Sequence, residues 1–336
     1  MEKRVSAPVF DIVAIGDTTE DVFLQMSDAE VHCDNQGGNC KFCLRFADKI
    51  AVEKKTDVPA VGNAANHAIG VARLGLRAAI YTVLGDDVQG HLAQDVFREN
   101  GVDARYVVFD KEHGTNFSAV INFNSERTIL VYHEPREYRL PHFARPRWIY
   151  LTSSSGGGVK SLHEQVLAYL EENPEVKIAF NPGTHQMNLG LEGLKPLLEK
   201  TEVLFINREE SQELLRISSD DVGQLIKGFL DIGVGSVVLT DGPNGSYAVD
   251  GGKILRLKIF AGEVVERTGA GDSYGAGFMG ALVHGKTITE AMLWGNANST
   301  SVVRYIGARE GLLNKDGVEQ LIRKNSKIKP VVYGTI

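Results

Sequence analysis

The chain has 336 residues, of which 43% are hydrophobic and 24% are charged, with a formal net charge of −7. This composition excludes intrinsic disorder and suits one large α/β domain. The negative charge and the lack of long Lys/Arg runs argue against nucleic acid or an anionic membrane as the main partner. The first five residues lack the apolar core of a signal peptide, and no apolar run approaches membrane-spanning length, so we expect a cytoplasmic protein.

Strands and helices alternate along the first part of the chain. The predicted elements are a strand over residues 10–15, a polar turn over 16–21, a helix over 63–75, a strand over 78–84 and a helix over 88–99. Such alternation is typical of βαβ units around a parallel sheet.

Two segments depart from this alternation. An extended excursion begins at residues 22–26 and returns near residues 46–52. Residues 117–123 and 128–132 form a predicted β-hairpin joined by residues 124–127. We expect these segments, about 22–52 and 115–134, to form a small sheet that acts as a lid.

All three cysteines, Cys33, Cys40 and Cys43, lie in one polar loop beside His32. An odd, local set in a cytoplasmic chain favours free thiols over disulfides. The four side chains could also bind zinc, but their spacing matches no standard zinc finger. We therefore expect free thiols.

The second part of the chain resumes the alternation. Strands are predicted over residues 148–151, 177–181, 203–207, 236–241 and 253–260, separated by helical stretches. The sequence thus predicts an α/β fold with a doubly wound, mostly parallel sheet flanked by helices. Sheets of this type bind ligands at the carboxyl ends of their strands.

A glycine turn separates the last of these strands from a predicted helix rich in small residues. The turn reads Glu-Arg-Thr-Gly-Ala-Gly-Asp over residues 266–272. Its glycines allow successive N–H groups to face one point at a helix N-terminus, where an anion binds favourably. Asp272 could accept a proton from a hydroxyl that attacks phosphorus, or it could simply cap the helix.

Two other glycine patterns occur nearby. Residues 280–287 satisfy the spacing of a Walker A loop, and residues 275–280 satisfy that of a dinucleotide fingerprint. Both motifs require a strand directly before the glycines, and here a helix is predicted instead. We therefore exclude both.

The segment Thr268-Gly269-Ala270-Gly271-Asp272, followed by Gly-Ala-Gly-Phe at 275–278, resembles the C-terminal signature of the ribokinase-like (PfkB-type) carbohydrate and nucleoside kinases. The resemblance implies one kinase domain over residues 1–336, with ATP and Mg²⁺ as cofactors. It also implies that Asp272 is the general base and that the amides of Gly269, Ala270 and Gly271 stabilise the transferred phosphoryl group.

The resemblance also implies acceptor-binding residues. They are Asp21, with Asp17 as the alternative, and Gly62, Asn63 and Asn66. Val61 stands where the family has a first glycine, which weakens any inference about which sugar fits. From local sequence alone, the aspartates and Asn63 could equally be caps of turns and helices.

For the nucleotide, the resemblance implies six contact residues, namely Asn207, Thr240, Gly242, Gly245, Thr268 and Asn298. Glu210 would act through water on the Mg²⁺ carried by ATP, in keeping with the preference of Mg²⁺ for retained waters. Relatives often have Asp-Thr before the signature, where the acidic residue helps to hold a monovalent cation. Glu266-Arg267 replaces that pair here, which leaves activation by a monovalent cation open.

The resulting hypothesis is an ATP-dependent kinase that phosphorylates a hydroxyl of a pentose or hexose. A nucleoside kinase is the alternative, with Phe117, Phe123 and Tyr132 available to contact a base. A non-catalytic metabolite-binding relative is a further alternative, and a dehydrogenase ranks third. Lid strands pair between subunits in this family, so a homodimer through the lid is also expected.

Overall fold

The apolar run Phe10–Ile15 forms a strand that is buried on both faces of the main sheet. A continuous apolar run of this kind is typical of a parallel strand with helices on both sides. The structure, a computed structural model, describes residues 9–34, 40–124 and 126–336.

Within these ranges the strands are β1 (Phe10–Ile15), β2 (Thr19–Gln25), β3 (Glu30–Cys33), β4 (Cys40–Cys43), β5 (Lys54–Val61), β6 (Ala78–Gly85), β7 (Asp103–Asp110), β8 (Asn116–Phe123), β9 (Glu126–Tyr132), β10 (Pro146–Leu151), β11 (Lys177–Phe180), β12 (Val203–Asn207), β13 (Ser236–Thr240), β14 (Ser246–Asp250), β15 (Lys253–Leu257) and β16 (Val331–Thr335). The helices are α1 (Asn63–Arg73), α2 (Val88–Glu99), α3 (Val159–Glu172), α4 (Thr184–Met187), α5 (Gly190–Leu198), α6 (Arg208–Leu215), α7 (Val222–Ile232), α8 (Ala270–Val283), α9 (Ile288–Val302) and α10 (Lys315–Lys324). None of these helices of the described chain has the length and apolar character needed to span a membrane.

The main sheet has the order β16-β15-β14-β13-β12-β11-β10-β1-β6-β7. The seven strands from β13 to β7 in this order pair in parallel, and β14, β15 and β16 add an antiparallel edge. The chain builds outward from β1 through β6 to β7 and then returns to the other side of β1 at β10. This reversal confirms the doubly wound sheet and places the switch point, where ligands bind, beside the carboxyl end of β1.

Helices cover both faces of the sheet. Buried side chains of α1, α8 and α9 pack on one face, and those of α3, α5 and α7 pack on the other. Small residues allow α1 and α8 to approach closely, because a Cβ at Gly70 would lie only 2.6 Å from the Cβ of Ala276. This close packing brings polar residues of α1 next to the start of α8.

A second, four-stranded sheet has the order β5-β2-β8-β9. It includes the predicted hairpin. In this hairpin Phe117 pairs with Tyr132 at one end and Phe123 pairs with Glu126 at the other. The predicted return near residues 46–52 is wrong, since these residues form no strand and Phe46 is fully exposed. The return strand is β5, an edge strand that tolerates the charged residues and the proline which obscured it in the sequence.

The cysteine loop forms a separate ribbon of β3 and β4. Antiparallel pairing places Cys33 opposite Cys40, and the two form a disulfide. The expectation of free thiols is therefore wrong for this pair and correct for Cys43. No cluster of three or more His, Cys, Asp or Glu side chains in the described ranges has a metal-binding arrangement.

Candidate active site

The glycine turn before α8 presents free backbone donors at a helix N-terminus. Gly269 has φ of +73°, and a Cβ there would collide with Ala308, so that only glycine fits the turn. In the described chain the N–H groups of Gly269 and Gly271 have no hydrogen-bond acceptor, and that of Ala270 makes a long 3.3 Å bond to the carbonyl of Arg267. These donors and the helix dipole create a site suited to an anion.

Asp272 lies in the first turn of α8 and is only 9% exposed. The Nδ2 atom of Asn66, on α1, donates a 2.8 Å hydrogen bond to Asp272 Oδ2. Burial raises the pKa of Asp272 to about 6, and the Asn66 hydrogen bond partly opposes this rise. A carboxylate with such a pKa is suited to accept a proton near neutral pH.

Two cavities meet at this turn. The first has a volume of about 480 Å³ and lies beneath β9 of the second sheet. The second has a volume of about 400 Å³ and is mostly apolar, with Ile259, Phe260, Val264 and Val303 in its wall. Four residues line both cavities, namely Thr240, Arg267, Ala270 and Gly271.

The first cavity contains most of the residues predicted from the sequence. The predicted residues that line it are Asp17, Asp21, Gly62, Asn63, Asn66, Asn207, Glu210, Thr240, Thr268, Gly269, Ala270, Gly271 and Asp272. Gly242 and Gly245 line the second cavity. The structure thus brings together residues from positions 17 to 272 of the chain.

Asn298 is the exception, because it lines neither cavity. Its side chain is fully buried, donates to the carbonyl of Ser273 and accepts from the N–H of Leu313, both at 2.9 Å. Positions two apart on a helix differ by about 200° in direction. Accordingly Asn296 lines the second cavity, while Asn298 faces away from it and joins α8 to α9.

Buried polar atoms without partners surround the first cavity. Tyr138 donates a 2.6 Å hydrogen bond to Asp17 Oδ1, but Asp17 Oδ2, Thr18 Oγ1 and Asn66 Oδ1 have no partner in the described chain. Unsatisfied buried polar groups are unfavourable unless a ligand or water completes them. The cavity therefore suits a molecule with several hydroxyl groups.

Asp17, which follows β1, and Asp21, which lies in β2, are both deeply buried. Burial raises the pKa of Asp21 to about 6, and hydrogen bonding by Ser118 opposes this rise. Burial also raises the pKa of Asp17, against hydrogen bonds from Ser155 and Tyr138. Both carboxylates can accept hydrogen bonds from sugar hydroxyls.

Glu210 lies at the start of α6, where its carboxylate accepts a 2.9 Å hydrogen bond from the N–H of Asn207. The Asn207 side chain accepts one of 2.8 Å from the N–H of Glu210, which completes a capping box. Glu210 therefore caps the helix and also faces the first cavity. A single carboxylate beside phosphates fits Mg²⁺, which keeps most of its waters.

Sequence reasoning predicted the hairpin of β8 and β9 as part of a lid but did not find the residues of β9 and just after it that line the first cavity. Arg127, Ile129, Val131 and His133 alternate along this segment and all line the first cavity. Arg127 Nη1 forms a 2.9 Å ion pair with Glu266, which also accepts hydrogen bonds from Thr268 Oγ1 and from the N–H of Gly307. The alternation of these residues could have shown that their side chains share one face of the strand. It could not have shown that this face borders the first cavity.

A family model described as pfkB family carbohydrate kinase matches residues 41–315. The match spans most of the chain and includes the glycine turn, Asp272 and Glu210. The chain belongs to the pfkB family of carbohydrate kinases. As a member of this family, it is a phosphotransferase with an alcohol group as acceptor.

Curated relatives and solved structures agree with this assignment. The ATP-dependent 6-phosphofructokinase of Thermoanaerobacterium thermosaccharolyticum is 26% identical over 279 residues, covering 77% of this chain and 84% of that protein. The Arabidopsis thaliana ribokinase complexed with ribose and ATP has a TM-score of 0.77 at 21% identity, over 95% of this chain and 99% of its own. The nucleoside kinase of Methanocaldococcus jannaschii has a TM-score of 0.76 at 20% identity, over 95% of this chain and 100% of its own. These two structural likenesses show the ribokinase-like fold.

Proposed function

We propose that this pfkB-family kinase transfers the γ-phosphate of ATP to a hydroxyl of a neutral pentose or hexose. The observation that carries this proposal is the meeting of a polar and an apolar cavity at one turn, with Asp272 beside the free amides. An acceptor in the first cavity and a nucleotide in the second would then bring their reacting groups together.

The charges around the first cavity support a neutral acceptor. Four carboxylates line it, those of Asp17, Asp21, Glu210 and Asp272. The Arg127 guanidinium is already paired with Glu266, and burial lowers the pKa of His133, which keeps this side chain neutral at pH 7. Arg267 also lines this cavity, but at its junction with the second cavity, where we place the phosphates of ATP. An anionic sugar would therefore face mainly carboxylates, which is unfavourable by several kcal/mol.

The second cavity supports a nucleotide base. Its wall is apolar, and Gly242 and Gly245 form a turn at the carboxyl end of β13. Gly245 needs its positive φ of 101°, and a Cβ there would collide with the carbonyl of Leu257. Gly245 therefore fixes the turn against β15, while Gly242 has open space at its Cβ position and leaves room for a planar ring in the cavity.

The chemistry then follows from the side chains present. Asp21 and Asp17 would accept hydrogen bonds from other hydroxyls of the sugar and so position the reacting one. That hydroxyl gives its proton to Asp272 as its oxygen attacks the γ-phosphorus and ADP leaves. The amides at positions 269–271 stabilise the charge on the phosphoryl oxygens. Mg²⁺ bound with ATP would neutralise phosphate charge, with Glu210 holding its waters.

The second sheet would exclude water from this reaction. Strand β9 lies over the first cavity, and the Arg127–Glu266 ion pair joins it to the glycine turn. Closure of this sheet over bound ligands would limit hydrolysis of ATP.

A nucleoside acceptor is the second candidate function. Ile129 and Val131 present apolar side chains to the first cavity and could contact a base. Phe117 and Tyr132 are largely exposed, at 37% and 56%. Neither lines that cavity, which removes part of the support for this alternative.

ADP formation across a panel of acceptors tests the proposal. The panel pairs neutral pentoses and hexoses with their phosphorylated and carboxylic acid analogues, and includes purine and pyrimidine nucleosides. We expect kcat/KM for the best neutral sugar to exceed that of its anionic analogue by about 100-fold, because of the surrounding carboxylates. The Asp272→Asn variant, purified in parallel, controls for contaminating kinases.

Three outcomes would contradict the proposal. A preference for an anionic sugar would overturn the charge argument. A preference for nucleosides would favour the second candidate. Binding of sugar or nucleotide without ADP formation would favour a non-catalytic relative.

A further inference from the structure

Arg267 lies immediately before the glycine turn, at the junction of the two cavities. Its side chain lines both of them. Its carbonyl accepts the 3.3 Å bond from the N–H of Ala270, so its backbone belongs to the same turn that presents the free amides. The guanidinium is thus attached to the element that would bind phosphate.

The positive charge of Arg267 is not neutralised within the described chain. Its side chain makes no ion pair and no hydrogen bond there, whereas Arg127 is paired with Glu266. The adjacent carboxylate of Glu266 is already used by Arg127, Thr268 and the N–H of Gly307. Glu263 lines the second cavity but lies beyond ion-pair distance of Arg267.

We propose that Arg267 binds the transferred phosphoryl group of ATP and is a catalytic residue of the kinase. This inference rests on the proposed function, because that function places the phosphate chain at the junction of the cavities. A planar guanidinium can donate two parallel hydrogen bonds to phosphate oxygens, which a lysine cannot reproduce.

In the reaction, the bond between the γ-phosphorus and the β,γ-bridging oxygen breaks as the bond from the sugar oxygen forms. The sugar proton passes to Asp272, and ADP leaves with the bonding electron pair. Arg267 forms no covalent bond. It stabilises negative charge on the phosphoryl oxygens, alongside the amides of the turn.

The test compares Arg267→Gln and Arg267→Lys with the wild type. Arg323→Gln is the matched control, since Arg323 lies on the surface of α10 and lines neither cavity. We expect Arg267→Gln to lower kcat by about 10²- to 10³-fold, with the sugar KM changed less than about twofold. Arg267→Lys retains the charge and is expected to recover only part of the lost rate, and both variants should unfold at the wild-type temperature.

Calorimetry supplies a readout that does not depend on turnover. With Mg²⁺ present, we expect Arg267→Gln to lower the affinity for the β,γ-imido analogue of ATP by about tenfold and that for ADP much less. Equal losses for the two nucleotides, or a wild-type kcat in Arg267→Gln, would overturn the inference.

These measurements separate the inference from the proposed function. A wild-type protein that binds the ATP analogue but phosphorylates no sugar would overturn the proposed function alone, and the calorimetric comparison would still decide the role of Arg267. A wild-type protein that binds neither nucleotide would overturn both.

Discussion

Asp272→Asn is expected to lower kcat by about 10²- to 10⁴-fold, because the amide cannot accept the proton of the attacking hydroxyl. The fold should be retained, since the amide oxygen can still accept the hydrogen bond that Asn66 donates to Asp272 Oδ2 at 2.8 Å. Steady-state rates of ADP formation measure the effect. Asp250→Asn, at the end of β14 and outside both cavities, is the matched control.

The pH dependence gives an independent check on the same residue. The pKa of Asp272 is about 6, so we expect kcat/KM of the wild type to fall below about pH 6 as the base is protonated. Asp21 also has a pKa of about 6, and its protonation would make the fall of kcat/KM at acid pH steeper. In the Asp272→Asn variant, the residual kcat/KM should fall less steeply at acid pH, because Asp272 no longer titrates.

The same shift predicts a change in stability. The pKa of Asp272 rises from 3.8 to about 6 on folding, so the folded state binds more protons than the unfolded state between these pH values. Stability therefore falls as the pH rises through this window, by roughly 3 kcal/mol for two pKa units. Above pH 6 the Asp272→Asn protein should have a higher Tm than the wild type, and this gain should vanish near pH 4.

Wild-type kcat in Asp272→Asn would remove Asp272 as the base. A large loss of Tm at all pH values would instead indicate a structural role. Only loss of rate combined with retained or increased stability agrees with the mechanism.

Gly271→Val is expected to abolish nucleotide binding while leaving the fold intact. A Cβ at Gly271 would have no atom within 4 Å, and this residue lines both cavities. The added side chain would therefore occupy the space proposed for the phosphate chain. We expect kcat/KM for ATP to fall by more than about 10²-fold, with a Tm close to that of the wild type.

Gly269→Ala should behave in the opposite way. Its φ of +73° is unfavourable for alanine, and the added Cβ would collide with Ala308. We expect a loss of stability of about 1–3 kcal/mol, measured by denaturant unfolding. Gly334 lies in the edge strand β16 with open space around it, so Gly334→Val is the control for the added side chain of Gly271→Val.

Equal loss of stability in both turn variants would contradict this assignment. It would mean that Gly271 also supports the fold and does not simply border the cavities. Normal ATP binding by Gly271→Val would place the phosphate chain elsewhere.

The glycine turn before α8 was predictable because its parts are contiguous. Residues 268–272 carry the glycines, the helix start and the carboxylate within five positions, and local backbone chemistry determines their arrangement. The parallel sheet was predictable for a similar reason, since buried strands such as β1 are continuous apolar runs. The parallel sheet and membership of the kinase family are confirmed, while the catalytic role of the turn stays a prediction.

Features that depend on distant pairing were harder to predict. Strand β5 contains Lys54, Asp57 and Pro59, and only its edge position against β2 makes that composition compatible with a strand. The Cys33–Cys40 disulfide depends on the register of β3 and β4. Strands β7, β14 and β16 were not identified, and of these β7 and β16 are the two edge strands of the main sheet.

Site residues whose position depends on distant parts of the chain were also hard to predict. The role of Arg127 depends on the position of β9 over the first cavity, and Tyr138 reaches Asp17 across 121 positions of the chain. Asn298 lines neither cavity because helix rotation, which the motif did not specify, directs its side chain toward Ser273 and Leu313. The homodimer, the cytoplasmic location and activation by a monovalent cation stay predictions.

An experimental structure with the β,γ-imido analogue of ATP, Mg²⁺ and the preferred sugar tests the central claim most directly. The account predicts that the terminal phosphate accepts hydrogen bonds from the amides at 269–271, and that a sugar hydroxyl lies between this phosphate and the Asp272 carboxylate. A terminal phosphate bound away from this turn, or a sugar with no hydroxyl within hydrogen-bond distance of Asp272, would contradict it.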